Sequence, residues 1–180
     1  SKLSKLTFCR RPSAVDPCCF IKDDLVLLAY VDDCLIFNKK KIKVDKFISE
    51  LKAVFNLTDE GDIATYLGMK IEKNKAGNDF KLSQPHLTER IIQAVNLHDR
   101  RMHDTPAEPN TLLTKDTEGE HRKTFWSYRG VVGMLNYLCG TRPELLFAVH
   151  QCARFSIEPK LSHERAIQRI VRYLKRTPTD

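Results

Sequence analysis

Residues 25–37 read Leu-Val-Leu-Leu-Ala-Tyr-Val-Asp-Asp-Cys-Leu-Ile-Phe, and no other stretch restricts the fold as much. Two short β-rich apolar runs flank a tight acidic turn, the pattern of a buried β-hairpin. Asp32 and Asp33 stand side by side at that turn. Burying two like charges is costly, because each carboxylate loses its hydration and repels the other. A hard divalent cation such as Mg2+ offsets that cost by taking oxygen ligands from one or two carboxylates. The alternative is a plain solvated turn, since Asp side chains bond to nearby backbone N–H groups.

A chain of 180 residues is long enough for one good core or two small ones. No run approaches the roughly 18 consecutive apolar residues of a membrane span. The cysteines, at 9, 18, 19, 34, 139 and 152, form no CxxC pair, and no His falls at zinc-finger spacing from them. Reduced, mostly buried thiols in an intracellular protein fit that spacing better than a disulfide framework. The net charge is +7, and residues 121–180 carry eleven Lys and Arg against four Asp and Glu. All the excess positive charge therefore lies in the C-terminal third, where it would attract a phosphate backbone.

Along the chain, Cys18–Ile21 reads as a strand leading through Lys22-Asp23-Asp24 into the acidic hairpin. After Lys39-Lys40-Lys41, the residues Val44, Phe47, Ile48, Leu51, Val54 and Phe55 recur at helical spacing. Residues 66–72 and 80–83 read as a second hairpin, turned by Lys75-Ala76-Gly77-Asn78. A helix over 86–97 follows, with Leu87, Ile91, Ile92 and Val95 on one face. Residues 98–124, polar and broken by Pro106 and Pro109, read as a long loop. The rest is helical in three pieces, marked by Tyr128–Leu138, by Leu145–Phe155 and by His163–Leu174. On the last, Arg165, Arg169, Arg172 and Arg176 form a stripe at i, i+4, i+7 and i+11. Four guanidiniums repel one another unless an anion neutralises them, so the stripe reads as a solvated face or a phosphate contact.

Tyr30-Val31-Asp32-Asp33 between apolar runs resembles the YxDD box of reverse transcriptases. Asp16-Pro17-Cys18-Cys19-Phe20 and the downstream segments resemble the Ty1/copia group of LTR retrotransposons. Those segments include Leu57–Asp62, Tyr66-Leu67-Gly68, Leu82-Ser83-Gln84, Thr105-Pro106 and Tyr128-Arg129. Val132-Gly133, Leu135, Tyr137-Leu138, Thr141-Arg142-Pro143, Arg154-Phe155, Pro159, His163 and Arg172-Tyr173-Leu174 complete the ordered set. A lone YVDD is weak; the ordered series is specific.

The resemblance implies an α+β fold, a partial polymerase palm over 1–84 and an all-helical thumb and its approach over 85–180. It implies RNA-directed DNA polymerase chemistry, with Asp32 and Asp33 as the catalytic and metal-binding carboxylates for Mg2+ or Mn2+. Tyr30, Leu67, Gly68, Met69 and Lys70 would position the primer, and Arg165, Arg169, Arg172 and Arg176 would hold the template-primer duplex. The implied partners are that RNA/DNA duplex, deoxynucleoside triphosphates, and the integrase, fingers/palm and RNase H parts of a pol polyprotein. The implied location is a cytoplasmic particle or the nucleus. Adjacent residues of an extended chain point different ways, so Asp32 and Asp33 cannot alone clamp two ions. The family's third carboxylate has no match here, which predicts that the isolated chain does not polymerise. Two rivals stand beside this reading: a non-catalytic nucleic-acid-binding remnant of a decayed retroelement, and a helical interaction domain with an incidental acidic turn.

Overall fold

The computed structural model describes residues 13, 15–74, 79–97 and 101–178. Two compact units divide the chain, residues 1–61 and 62–180.

The first unit is a three-stranded antiparallel sheet with a helix. Its strands are β1 (Cys19–Lys22), β2 (Leu25–Tyr30) and β3 (Asp33–Phe37), in the order β1-β2-β3. Helix α1 (Lys41–Lys52) follows. Side chains alternate across a strand, so the register places Phe20, Leu25, Leu27 and Ile36 on one face. That face packs on Phe47 and Leu51 of α1, with Phe55 and Leu57 at its margin. The predicted helical stripe is right for Phe47 and Leu51, but Val54 lies past the helix end and is exposed.

The hairpin is not buried as its apolar sequence suggests. Among the described residues only one face of the sheet has a helix against it, while Ile21, Tyr30 and Phe37 on the other remain about half exposed. A continuous apolar run reads as two-sided burial, yet the described residues of this unit supply a single covering layer.

The second unit begins with another antiparallel sheet, β4 (Thr65–Tyr66), β5 (Met69–Lys73) and β6 (Phe80–Ser83). The predicted turn at Lys75–Asn78 lies outside the described residues. Among the described residues four helices follow: α2 (Pro85–Val95), α3 (Tyr128–Leu138), α4 (Leu146–Ala153) and α5 (Leu161–Arg176). Pro85 opens α2 at a position where its missing N–H costs nothing, and Asn96 closes it in the left-handed conformation. The Ser127 hydroxyl caps α3 by accepting from the Gly130 N–H. Where one helix was expected from Pro143, a 3-10 turn over Pro143–Leu145 precedes the short α4.

The helices bury one continuous core that includes Ile91, Leu135, Leu138, Leu145, Val149, Ile167, Ile170 and Leu174. These are positions that the helical periodicity marks. Residues 101–124 form no helix or strand beyond a single bridge between His121 and Lys160, and Ala107 and Leu113 tuck them onto the core. Within the core unit, Glu164 is only 1% exposed and is held by Arg122, Thr124 and Gln168. No helix among the described residues is long and apolar enough to cross a membrane. Cys18, Cys19, Cys34, Cys139 and Cys152 are free thiols, and Cys9 lies outside the described residues.

Candidate active-site hairpin and strand-binding surfaces

Tyr30 pairs with Asp33, so the connection between β2 and β3 is the two-residue loop Val31-Asp32. Val31 has φ +53, and Asp32 is not among the described residues with positive φ. A positive first central residue alone is the pattern of a II′ turn, which normally takes glycine there. A β-branched residue in that conformation is strained, and strain of this kind concentrates at functional sites. Val31 is 89% exposed, and the carboxylates of Asp32 and Asp33 both face solvent. The costly buried pair expected from the sequence is thus absent within this unit, because the turn projects beyond the layer that α1 covers. Asp33 shares the uncovered sheet face with Tyr30, whereas Cys34 shares the α1-facing side with Ala29. Partial desolvation, and then the Asp33 charge, push the Cys34 thiol above its usual value.

The other nearby acids do not join this pair. Asp23 and Asp24 lie at the opposite end of β2, about 20 Å away at the rise of a strand. Asp24 is spent on Lys43 of α1 at 2.7 Å and on Asn38, so its carboxyl is held below the usual range, first by the Lys43 bond. The Asp16 carboxylate accepts from the Cys18 N–H at 2.8 Å in a local turn. No group of three or more His, Cys, Asp or Glu side chains that could hold a metal occurs among the described residues. Asp32 and Asp33 supply exposed oxygen donors of the kind a hard divalent ion prefers, two carboxylates rather than a complete set.

In the second unit, Tyr66 pairs with Met69, and the loop Leu67-Gly68 has φ +49 and +75. Two positive values make the I′ pattern that follows the natural twist of a hairpin. Gly68 adopts it freely, and open space surrounds its Cα on the side where a Cβ would sit. Leu67 adopts it at a cost. The Tyr137 hydroxyl of α3 donates to the Leu67 carbonyl and holds the turn in place. Lys70 pairs with Glu72 at 2.8 Å on the exposed side of β5. Leu67, Gly68, Met69 and Lys70 therefore sit together at one turn, whereas Tyr30 belongs to the other unit. Sequence reasoning placed Tyr137 only in the ordered motif series and gave it no contact, although an aromatic off the apolar stripe of α3 was a signal of a polar task.

The arginine stripe of α5 is not simply solvated. Arg169 donates to the Thr105 hydroxyl at 3.0 Å and to the Thr105 carbonyl at 3.3 Å. Arg176 pairs with Asp104, and Arg172 also has a partner. Arg165 is exposed and, after Lys123, helps hold the Glu120 carboxyl below its usual range. The stripe thus straps residues 104–105 across α5, a task the helical spacing alone did not reveal.

A family model described as reverse transcriptase (RNA-dependent DNA polymerase) matches residues 2–109. The chain is 32% identical over 178 residues, 92% of its length, to the retrovirus-related Pol polyprotein from transposon TNT 1-94 of Nicotiana tabacum. It is 31% identical over 87% of its length to the corresponding polyprotein from transposon RE1 of Arabidopsis thaliana. It spans only 13% and 10% of those two relatives. An uncharacterized mitochondrial protein of Arabidopsis thaliana is 29% identical over 85% of the chain, which covers 62% of that relative. No solved structure matches the chain. The YVDD hairpin, the ordered motifs and these matches together show that the chain belongs to the reverse transcriptase (RNA-dependent DNA polymerase) family, within its copia-type retrotransposon branch.

Proposed function

We propose that this chain is the C-terminal palm and thumb portion of an RNA-directed DNA polymerase, which acts by nucleotidyl transfer when the rest of the polymerase is present. The observation that carries the reading is that Asp32 lies in a strained, exposed two-residue turn and Asp33, also exposed, directly follows it at the start of β3. A divalent ion, Mg2+ by the oxygen character of the donors, would be held by those carboxylates and would supply charge neutralisation at the reacting phosphate. Leu67, Gly68, Met69 and Lys70 would then support the primer strand, with Tyr30 beneath its terminus. Arg165 is the stripe residue best placed for template-primer phosphates, and engaging Arg169, Arg172 or Arg176 would compete with their present partners. Deoxynucleoside triphosphates and the other domains of a Pol polyprotein are the partners this activity requires, in a cytoplasmic particle or the nucleus.

Titrating Mn2+ into the isotopically labelled chain tests the metal role. Paramagnetic broadening confined to Val31–Cys34, and lost in Asp32→Asn with Asp33→Asn, is the expected result; uniform or absent broadening refutes it. Two carboxylates are too few for two ions, so the isolated chain shows no template-dependent incorporation, and detected incorporation would overturn that part. The second reading is a non-catalytic nucleic-acid-binding remnant. It is favoured by the short mitochondrial relative, of which this stretch makes up most. An intact polymerase half encoded immediately upstream supports the enzyme, and stop codons there support the remnant.

A further inference from the structure

Two hydroxyl-bearing residues of the chain stand directly before a proline, Thr105 before Pro106 and Thr177 before Pro178. A following proline biases a residue toward extended backbone and removes one N–H, so its hydroxyl is offered from the extended form in which a protein kinase takes a substrate. The fold separates the two threonines. Thr177 is partly buried at the C-cap of α5, where its hydroxyl donates to the Tyr173 carbonyl at 3.0 Å and accepts from Arg142 at 2.8 Å. The negative end of the helix dipole lies there and opposes a phosphate. Thr105 is exposed and outside any helix or strand. Its hydroxyl donates to the Ala107 carbonyl at 2.9 Å and accepts from Arg169 Nη2 at 3.0 Å, while Arg169 Nε donates to the Thr105 carbonyl at 3.3 Å.

The charge around Thr105 suits an added anion. On α5, Arg169 is flanked by Arg165, Arg172 and Arg176. Of the carboxylates along this strap, Asp104 is paired with Arg176 and Glu120 with Lys123 at 2.9 Å, while Glu108 lies exposed three residues past Thr105. Positive charge therefore exceeds negative on this side of α5. A guanidinium already seated 3.0 Å from the hydroxyl oxygen is placed to meet a phosphate on that oxygen, because its planar fork matches phosphate geometry.

We propose that Thr105 is a phosphorylation site whose phosphate is received by Arg169, and that the modification withdraws the α5 arginine stripe from nucleic acid. In the transfer, Thr105 Oγ bonds to the γ-phosphorus of a nucleoside triphosphate as the bond from that phosphorus to the bridging oxygen breaks. The nucleoside diphosphate leaves, and the hydroxyl proton passes to a base of a proline-directed kinase. The new group carries a charge of about −1.5 to −2 near neutral pH. It holds residues 104–105 harder against α5 and cancels positive charge along the stripe. The effect on nucleic acid rests on the reading given above; the site and its receptor do not.

The test treats the 180-residue protein with a proline-directed serine/threonine kinase and Mg-ATP, and locates the phosphate by mass spectrometry of fragments. Phosphate on Thr105, absent from Thr105→Ala, is expected; phosphate on Thr177 alone, or on neither, overturns the site. Phosphorus NMR of the product then follows the second ionisation of the phosphate. A value below the ordinary one of about 6, restored by Arg169→Gln, is expected, because a guanidinium favours the dianion. An ordinary value, or one unmoved by Arg169→Gln, overturns the receptor. The urea midpoint read by the fluorescence of Trp126 rises by about 0.5 M on phosphorylation of the wild type, and no rise counts against the strap. Binding of an end-labelled RNA/DNA primed duplex weakens about tenfold on phosphorylation. Unchanged duplex affinity overturns the regulatory effect while leaving the polymerase reading intact. An unmodified protein that binds no duplex refutes the nucleic-acid reading instead, and the regulatory effect with it.

Discussion

Removing the Glu164 carboxylate should unfold the helical unit more easily than any surface change. One oxygen of Glu164 accepts from the Thr124 hydroxyl at 2.9 Å, the Thr124 N–H at 3.3 Å and Arg122 Nε at 3.3 Å. The other accepts from Gln168 at 3.3 Å. The Glu164 side chain is 2% exposed and that of Arg122 18%, so the pair is screened poorly by water. Arg122 is fixed further by its bond to the Trp126 carbonyl at 2.7 Å and by stacking on the Trp126 ring at 4.4 Å. It cannot swing out to solvent when its partner goes. Glu164→Ala therefore strands a buried cation and an orphan N–H, at a cost of about 3–5 kcal/mol. Glu164→Gln keeps a neutral acceptor and costs about 2 kcal/mol. Trp126 is the single tryptophan of the chain and touches Arg122 directly, so its fluorescence reports unfolding of this unit alone. With a urea dependence of roughly 1.5 kcal/mol per molar, the Ala variant loses about 2–3 M in midpoint. Arg122→Met combined with Glu164→Leu should recover most of that loss, because an apolar pair leaves no charge behind. A Glu164→Ala shift below about 0.5 M would refute the claim that this carboxylate is the hub.

Two further outcomes follow from the same unit. Burial pushes the Cys152 thiol up to about 12, and burial again, foremost, raises the Tyr128 phenol, which donates to the Cys152 carbonyl at 3.0 Å. An unfolded thiol titrates near about 8.5, so the stabilisation is complete below that pH and is lost as pH rises toward 12. The urea midpoint should fall across that window and fall less in Cys152→Ala; a flat profile contradicts it. Tyr137→Phe frees the Leu67 carbonyl and, at a half-exposed position, costs only about 0.5–1 kcal/mol. It should speed amide hydrogen exchange at Leu67–Met69 and lower the Trp126 midpoint by only about 0.3–0.7 M, and unchanged exchange would show that the hydroxyl does not hold the turn.

The periodic signals carried a large part of the fold. Phe47 with Leu51, Ile91 with Val95, and Val131, Val132, Leu135, Leu138, Leu145, Val149, Cys152, Ile167, Ile170, Val171 and Leu174 are buried where helical spacing put them, whereas Leu146, expected on the same face, is exposed. A 3.6-residue repeat is a local property, and it survives translation into packing because each helix has one face to hide. The two-residue turns were less legible. Val31 and Leu67 are poor residues for left-handed backbone, and only strand pairing on either side forces them there.

What the sequence determined by itself was the order of most elements, the family, and the acidic pair at residues 32–33; the single strand expected over 66–72 is instead split by the Leu67-Gly68 turn into β4 and β5. Exposure of that pair, the capture of Thr105 by Arg169 and the Tyr137 bond to Leu67 were decided only in three dimensions. Each of the last two joins residues far apart in the chain. A spacing pattern records which side of an element is apolar; it does not record which distant polar group will arrive to meet it.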